Sequence, residues 1–352
     1  MTRGASVTSA PVPRRPLPTS RHRVLRPVGL VVILIALVLS VAASLSVGSN
    51  PLPLGEVWQA VLHPDGSEAA IVVWTMRLPR TVVGIVVGSA FGVAGALIQA
   101  LTRNPLADPG ILGVNAGAGF AVTLGVGLLG LHGISSFIWL AFVGAAAATV
   151  IVYLIGSAGR GTASAVTLVL AGVALGAVLN GVSTFLTLID PDTFMAVRHW
   201  GVGSIARVTL AETATVAPFL VVGLLLALGL SSSLNSIALG DDLAASLGTR
   251  VRLVRVLGVI AVTLLAGGGT ALTGGLAFVG LMVPHVVRWF VGPDQRWILA
   301  YAILAAPVLV LAADAVGRVI VRPGEIEVGI LTAVVGAPVL IALVRRRRAS
   351  GL

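Results

Sequence analysis

Two arginines, one on either side of a proline, have the type and spacing needed to bind an anion. Arg77 and Arg80 are three positions apart, so on a helix they share a face, and Pro79 favours the first turn of a helix. The partial positive charge of a helix N-terminus would add to the two guanidinium charges. The pattern predicts a patch that attracts anions such as carboxylates, with headgroup anchoring or local ion pairing as the alternatives.

Other reactive residue types are missing or scattered, which excludes several classes of enzyme. The 352 residues include no cysteine, so disulfides, thiolate metal sites and cysteine nucleophiles are excluded. All 23 basic residues are arginine, and without lysine there is neither a Walker A loop nor a pyridoxal Schiff base. The five histidines lack metal-ligand spacing, and no GxSxG or HExxH motif occurs. We therefore predict no catalytic residue, no metal site and no cofactor in this chain.

The composition is that of a membrane protein. Hydrophobic residues make up 57% of the chain and charged residues 10%, and the mean hydropathy is +1.05. The net charge of +10 indicates arginine-rich cytoplasmic ends rather than nucleic-acid binding. About ten apolar runs approach the ~20 residues that a span requires. The predicted spans are 28–45, 79–101, 111–130, 135–156, 164–188, 210–231, 252–271, 274–288, 297–317 and 326–344.

Glycines mark where these spans pack closely or bend. The second span has glycines at nearly every fourth position, which places them on one face and lets a neighbouring helix approach closely in lipid. This predicted stripe consists of Gly84, Gly88, Gly92 and Gly95. A dense run predicts a helix break or hinge near the end of the seventh span. That run consists of Gly267, Gly268 and Gly269.

The segment between the sixth and seventh spans predicts a two-turn helix. Asp241 can cap its start and Gly248 can end it, and Leu243 and Leu247 then share one face. From spacing alone, an ordinary surface helix and a helix that docks in a partner's groove are equally favoured. The segment comprises Asp241, Asp242, Leu243, Ala244, Ala245, Ser246, Leu247 and Gly248.

The order of motifs along the chain resembles that of the FecCD family. The motifs are RLPR at residues 77–80, the glycines and glutamine of 92–99, NPLADPGILG at 104–113 and GGLAFVGLMVPHVVR at 274–288. The likeness extends from about Val28 to Arg345. Members of this family are permease subunits of binding-protein-dependent ABC importers for iron-siderophores, haem and vitamin B12.

The resemblance implies an all-α polytopic membrane protein with about ten transmembrane helices in two inverted halves, the BtuC-like fold of a type II ABC importer permease. With composition, it predicts a disordered cytoplasmic tail at 1–27, a transmembrane permease domain at 28–345 and a basic cytoplasmic tail at 346–352. The protein is expected in the cell membrane as a multi-pass chain with both termini cytoplasmic.

The resemblance also implies roles for individual segments. Arg77, Arg80 and Arg318 match arginines that grip acidic residues on the two lobes of the substrate-binding protein. The segment 241–248 matches the helix that couples the permease to the ATPase. The pathway would be lined chiefly by spans 5 and 10 and a short helix near 192–200. Arg198 and Arg207 are further candidates for which the family offers no counterpart.

The implied partners are a second permease copy or paralogue, two ABC ATPase subunits, an extracytoplasmic substrate-binding protein and membrane lipid, without nucleic acid. Mg-ATP would be bound by the ATPases and not by this chain. The expected cargo is a ferric siderophore, with vitamin B12 or haem as alternatives. Two departures from the family pattern concern the outer gate: Glu327 replaces a common proline, and the segment 200–204 fits only in part.

Two other classes of function remain as alternatives. An ion-driven secondary transporter would need ionisable residues near mid-membrane, and the apolar runs are almost free of them. Asp314 is an acid near a membrane end that could serve a proton relay, although its position beside Arg318 favours a structural partner. An intramembrane enzyme would need a catalytic constellation, which the sequence lacks.

Overall fold

The structure is a computed structural model that describes residues 21–349 except Ser49, His132 and residues 158–164. Within these ranges it contains α-helices, two π-helical turns at Val73–Arg77 and Thr263–Gly267, one 3₁₀ turn at Pro109–Leu112, and no strand. The helices are α1 Arg21–Ser46, α2 Leu54–Leu62, α3 Glu68–Val72, α4 Leu78–Thr102, α5 Val114–Leu129, α6 Ile134–Ser157, α7 Ala165–Ile189, α8 Pro191–Gly201, α9 Leu210–Ile237, α10 Asp241–Ser246, α11 Val251–Val262, α12 Gly268–Thr273, α13 Val279–Val291, α14 Gln295–Ile320 and α15 Val328–Ala349.

Ten of the described helical runs are apolar enough to lie in a membrane, in agreement with the predicted all-α polytopic class. Seven are also long enough to cross it: Arg26–Ser46, Glu68–Thr102, Ile134–Gly156, Val166–Ile189, Leu210–Ile237, Val251–Thr273 and Gln295–Ile320. Three are shorter: Val114–Leu129, Val279–Val291 and Val328–Ala342. The ten runs coincide with the ten predicted spans, which confirms the predicted fold class.

The second span begins earlier than predicted, and this changes the setting of its arginines. Helix continues from Glu68 to Thr102, through the π-helical turn, so Pro79 is not at a helix start. The amide of Leu78 donates to the carbonyl of Val73, five residues earlier, which gives the wider π-helical turn. Pro79 follows this turn and has no amide hydrogen to donate. Arg77 and Arg80 therefore lie inside a helical run, and the predicted contribution of a helix N-terminus does not apply.

The break near the seventh span falls later than predicted. Helix continues through the glycine run at 267–269 and ends at Thr273. Here Gly274 has a φ of +73° and Phe278 a φ of +67°, and α13 starts only at Val279. The earlier glycines are packed: a Cβ on Gly269 would lie 2.9 Å from the ring of Phe91. The chain thus reverses at an irregular segment, and α13 has 13 residues, about 20 Å against a ~30 Å hydrocarbon core.

Both predicted tails are helical where they are described. Helix α1 begins at Arg21, inside the predicted tail 1–27, whose residues 1–20 lie outside the described ranges. Helix α15 continues to Ala349, inside the predicted tail 346–352, and residues 350–352 lie outside the described ranges. The residues between the predicted spans 135–156 and 164–188 also lie almost entirely outside the described ranges.

Helix α4 is the centre of the core, and its glycine face touches other backbones. A Cβ on Gly88 would lie 2.8 Å from the backbone of Pro307 in α14, and one on Gly92 would lie 2.9 Å from the carbonyl oxygen of Ala302. A Cβ on Gly95 would lie only 1.8 Å from the carbonyl oxygen of Gly280 in α13. Glycine is required for this approach, because a methyl group has no space between the two helices.

Helix α4 also defines two ends of the bundle. It has 25 residues and is about 37 Å long. Arg80 lies in its first turn, whereas Arg103 follows its last turn and forms an ion pair with Asp241 of α10. We call these the Arg80 end and the α10 end. Arg80 and Leu243 therefore lie on opposite sides of the bundle.

The contact between α4 and α13 gives a test of this packing. We expect Gly95→Ala to lower the free energy of unfolding by about 1–3 kcal/mol, since the added methyl group collides with the backbone of Gly280. Thermal unfolding in detergent measures the change as a lower Tm.

Gly229→Ala in α9 is the matched control, because no atom lies within 4 Å of its Cβ position. Relative to glycine, alanine in a helix interior is favourable by about 0.5–1 kcal/mol, so this Tm should stay equal or rise. Equal Tm values for the two variants would contradict the close contact.

Candidate functional site

One buried carboxylate organises the Arg80 end. Asp314 of α14 is completely buried and accepts hydrogen bonds from Nε and Nη2 of Arg80 at 2.8 and 2.6 Å from its Oδ1. Its Oδ2 lies 3.0 Å from Nη2 of Arg318, four residues further along the same helix. Arg80 also donates from Nη1 to Glu325 at 2.7 Å. A pair in which one guanidinium donates two hydrogen bonds to one carboxylate is among the strongest side-chain ion pairs.

Arg77 and Arg318 donate hydrogen bonds to the last carbonyl groups of α1. Arg77 donates from Nη1 to the carbonyl oxygens of Leu45 and Ser46 at 2.6 and 2.9 Å. Arg318 donates from Nη1 to the carbonyl oxygens of Ser44 and Val47 at 2.9 and 2.7 Å. The final carbonyls of a helix have no partner within it, and they carry partial negative charge. The two guanidinium groups therefore act as the C-terminal cap of α1.

The three arginines predicted to dock a partner are thus engaged inside the chain. Arg77 and Arg318 are 6% and 5% exposed, and the side chain of Arg80 is 11% exposed. Local ion pairing, one of the alternatives that the sequence leaves open, is what the structure shows for Arg80 and Arg318. Asp314 is a structural partner of Arg318, as its spacing favours. Docking by the three arginines stays a prediction.

The two ends of the bundle differ strongly in charge. Among the described residues, thirteen arginines and four acids lie toward the α10 end, whereas six arginines and nine acids lie toward the Arg80 end. Three arginines at the Arg80 end are exposed: Arg198, Arg207 and Arg322. Among the described residues, acids therefore outnumber arginines at the Arg80 end, and arginines outnumber acids at the α10 end.

Helix α10 presents an apolar face at the basic end. Ala244 is completely buried, whereas Leu243 and Leu247 are 51% and 63% exposed. Gly240, with a φ of +110°, occupies the N-cap position predicted for Asp241. The carboxylate of Asp241 is instead bound by two guanidinium groups, those of Arg103 and Arg255, the second at 2.7 Å. These ion pairs fix the helix to the end of α4 and the start of α11.

A third surface carries polar groups on an exposed helix. Asn180 and Thr184 of α7 are exposed and Thr187 is half-buried, and the three lie three to four residues apart, so they form one stripe. The first turn of α15 is close to the end of α8, because the amide of Gly329 donates to the carbonyl of Gly203 at 3.0 Å. Helix α8 packs against α7, and the segment after α8 meets the first turn of α15. Polar side chains on an exposed helix face suit water or protein better than lipid.

Two amide side chains within the spans form hydrogen bonds between helices. The buried amide of Gln99 donates to the carbonyl oxygen of Leu281 at 3.0 Å. The side chain of Asn115 accepts from the hydroxyl of Thr270 at 2.9 Å. These contacts join α4 to α13 and α5 to α12, which agrees with interhelical hydrogen bonding as the default role. No group of three or more metal-binding side chains occurs in the described part of the chain.

Sequence comparison places this architecture in a family. The sequence model described as the FecCD transport family matches residues 34–346. The chain belongs to the FecCD transport family. The match extends from the second half of α1 to most of α15, and it includes both ends of the bundle.

Several curated relatives of this FecCD chain cover nearly its whole length. It is 47% identical over 320 residues to the ferric enterobactin transport system permease protein FepD of Escherichia coli (strain K12), covering 91% of this chain and 95% of that protein. It is 35% identical to the probable siderophore transport system permease protein YfiZ of Bacillus subtilis (strain 168), covering 90% and 95%. It is 33% identical to the hemin transport system permease protein HmuU of Yersinia pestis, covering 90% and 95%.

A solved structure shares the fold of this FecCD chain. It is a metal-chelate type ABC transporter in an inward-facing conformation, with a TM-score of 0.81 and 25% sequence identity. The alignment covers 91% of this chain and 99% of the solved one. The arrangement of helices described above is therefore that of a known class of ABC transporter.

Sequence reasoning found the arginines of this site and the pairing of Arg318 with Asp314, but it missed the partners of Arg77 and Arg80. The spacing of Asp314 and Arg318, four residues apart, was a visible signal of an ion pair. The pairing of Arg80 with Asp314 spans 234 positions, and nothing local indicates it.

The buried carboxylate gives a test of what the network does. We expect Asp314→Asn to lower the free energy of unfolding by about 3–5 kcal/mol, since it removes the buried carboxylate that Arg80 and Arg318 share and leaves Arg318 without a charged partner. Thermal unfolding of the purified protein in detergent measures the effect.

Glu325→Gln is the control, because this pair reaches the surface and should cost less than about 1 kcal/mol. The network is not what holds this end together if both variants unfold at the wild-type temperature.

Proposed function

We propose that this FecCD chain is the transmembrane permease subunit of an ABC importer that carries a ferric siderophore across the cell membrane. The observation that carries the proposal is the exposed leucine face of α10, fixed by ion pairs at the basic end of a ten-span bundle. Such a face is an anchor for a partner outside the membrane. The whole-length relatives that are named as iron and siderophore permeases support the same function.

The charge difference between the two ends supports an orientation. Arginine-rich ends stay on the cytoplasmic side, and acidic residues count little in this rule. We therefore place the α10 end in the cytoplasm and the Arg80 end outside. Helix α1 starts and α15 finishes at the α10 end, so both chain termini are cytoplasmic in this proposal.

The proposed partners follow from the two ends. In the cytoplasm, two ATPase subunits engage α10 of each permease, bind Mg-ATP and hydrolyse it. This chain supplies no catalytic residue and no cofactor of its own. Outside, a substrate-binding protein delivers the cargo to the Arg80 end. Its acidic residues would meet Arg80 there, whereas Arg77 and Arg318 support that contact from within by holding α1.

A second permease copy or paralogue completes the passage. We place it against the exposed faces of α7, α8 and α15, where the stripe of Asn180, Thr184 and Thr187 would line an aqueous route. A polar lining without charge suits a bulky iron chelate, which must slide past without being held. The pathway then runs between the two permeases, and movement of α10 is transmitted to it through the helices.

Other cargoes and other energy sources make different demands. A relative named as a hemin permease keeps haem as an alternative cargo, and vitamin B12 remains a second alternative. An ion-driven transporter would need a titratable group near mid-membrane that is free to exchange protons. Asp314 lies at a span end and is held by two arginines, so it is poorly suited to that role.

Transport itself tests the proposed function. Proteoliposomes that contain the permease with its cognate ATPase should take up ferric siderophore when the binding protein and internal ATP are both present. Uptake that continues without any ATPase chain, driven by an ion gradient, would refute the importer assignment. Uptake of hemin in preference to the siderophore would change the cargo but keep the mechanism.

The leucine face of α10 gives a second test. We expect Leu243→Asp to abolish co-purification of the ATPase, since a charged group at the centre of an apolar contact must be desolvated. Leu243→Met keeps the volume and polarity of the site and should retain the complex. If the aspartate variant still co-purifies and transports, α10 is not the coupling helix.

A further inference from the structure

An apolar groove lies between α6 and α11 on the outer face of the bundle. Helix α6 packs against α12 and against the π-helical turn at Thr263–Gly267. Nearer the α10 end, α6 and α11 leave a groove of about 350 Å³ between them. Its lining extends from Phe142 to Leu154 on α6 and from Val256 to Leu264 on the other side. The groove is open to the surroundings of the bundle, because Val150 and Ile260 on its rim are exposed.

The length and polarity of the groove fit a hydrocarbon chain. At 1.5 Å per residue its lining is about 12 Å long beside α11 and about 18 Å long on α6, close to the ~15 Å that one leaflet contributes to the core of a bilayer. The two threonines in the lining are already bonded, since Thr149 donates to the carbonyl of Ala145 and Thr263 to that of Val259, both at 2.9 Å. An acyl chain can therefore fill the groove without burying an unpaired hydroxyl of these threonines.

Positive charge lies at the α10 end of this groove. Arg252 is four residues before Val256, so it shares the face of α11 that lines the groove. Side chains on a helix lean toward its N-terminus, and α11 starts at the α10 end, so the guanidinium of Arg252 extends toward the membrane surface. Arg250 and Arg252 are exposed and form no ion pair with any described residue. Arg255, by contrast, is already bound to Asp241.

Tyr153 lies between the apolar and the charged parts of the groove. It is half-buried, and it lines both the groove and a small gap beside it that Arg255 also lines. Its hydroxyl forms no hydrogen bond with a described residue. Tyrosine is enriched at the boundary between hydrocarbon and headgroups, where its ring is in lipid and its hydroxyl meets polar atoms. The surface thus changes from hydrocarbon, through a phenol, to guanidinium groups that are available to a ligand.

We infer that this groove binds an anionic phospholipid, with an acyl chain between α6 and α11 and the phosphate at Arg252. Basic pockets between spans hold anionic headgroups, because each arginine near a membrane surface attracts them. Among the described residues, arginines outnumber acids at this end, which favours a negative ligand. A zwitterionic lipid fills the apolar part equally well but gains less from Arg252. The inference needs only a bilayer around the chain, and it is independent of the cargo and of the side that the α10 end faces.

Removal of one charge tests the headgroup contact. We expect the full-length protein in detergent to bind dioleoylphosphatidylglycerol more tightly than dioleoylphosphatidylcholine when each lipid is titrated and followed by native mass spectrometry. Arg252→Gln should lower the affinity for phosphatidylglycerol about fivefold, the effect of one arginine near a membrane surface, and leave that for phosphatidylcholine unchanged. Arg345→Gln is the matched control, because it removes an exposed arginine at the same end from α15, which packs on α13 and α14.

Filling the groove tests the place of the acyl chain. Ala146→Phe puts a ring into the lining and should lower the affinity for both lipids at least threefold. Ala147→Phe puts the same ring on the exposed face one residue further and should change neither affinity. Thermal unfolding of both variants shows whether they are folded. Arg252→Gln changes only an exposed side chain, so it decides the headgroup contact even if Ala146→Phe does not fold.

Several results would overturn the inference. One is equal affinity of the wild type for the two lipids, and another is an equal loss of phosphatidylglycerol affinity in Arg345→Gln and Arg252→Gln. Unchanged lipid affinity in a folded Ala146→Phe would place the lipid elsewhere. If Ala146→Phe instead abolishes self-association and leaves lipid affinity unaltered, the groove is an interface between two copies of the chain. These measurements involve no transport, so failure of the proposed function would leave their outcome unchanged.

Discussion

The burial of Asp314 is the constraint on which this end of the bundle depends. A carboxylate without solvent access needs compensation by charge and by hydrogen bonds, and the chain supplies both with Arg80 and Arg318. Because Arg318 also binds the final carbonyls of α1, one acid fixes the relative positions of α1, α4 and α14. Arg77 adds a second cap to α1. The guanidinium groups of Arg77, Arg80 and Arg318 are thereby paired with carboxylates or carbonyl groups of the same chain.

In the middle of the bundle, a few close backbone contacts set the positions of the helices. There the helices are not aligned by ion pairs. They are aligned by close backbone contact at Gly88, Gly92 and Gly95. The short helices α5 and α13 follow irregular segments, and within a membrane such backbone must be satisfied by protein. Gln99 does part of this work by donating to a carbonyl at the start of α13. The glycines of α4 and the side-chain amide of Gln99 thus allow the chain to reverse direction before α13, inside the bundle.

The sequence predicted what depends on local composition. The span at 135–156 is found as Ile134–Ser157, since length and apolarity are properties of the segment itself. The start of the second span was predicted wrongly, because Pro79 suits a helix start as well as the position after a π-helical turn. The break after α12 was displaced because dense glycines serve close packing as well as bending. The Arg80–Asp314 pair lay beyond local reasoning, since only the fold brings the two residues together.

Helix α4 joins the two ends without a flexible joint. Its first turn holds Arg80 against Asp314, and Arg103 directly after its last turn holds Asp241 of α10. A rigid rod about 37 Å long that tilts by about 5° around its middle moves each tip by about 1.6 Å, in opposite directions. Such a rod is a lever with its fulcrum at the glycine contacts. A shift imposed at either surface of the membrane would arrive at the other with similar amplitude and reversed sense.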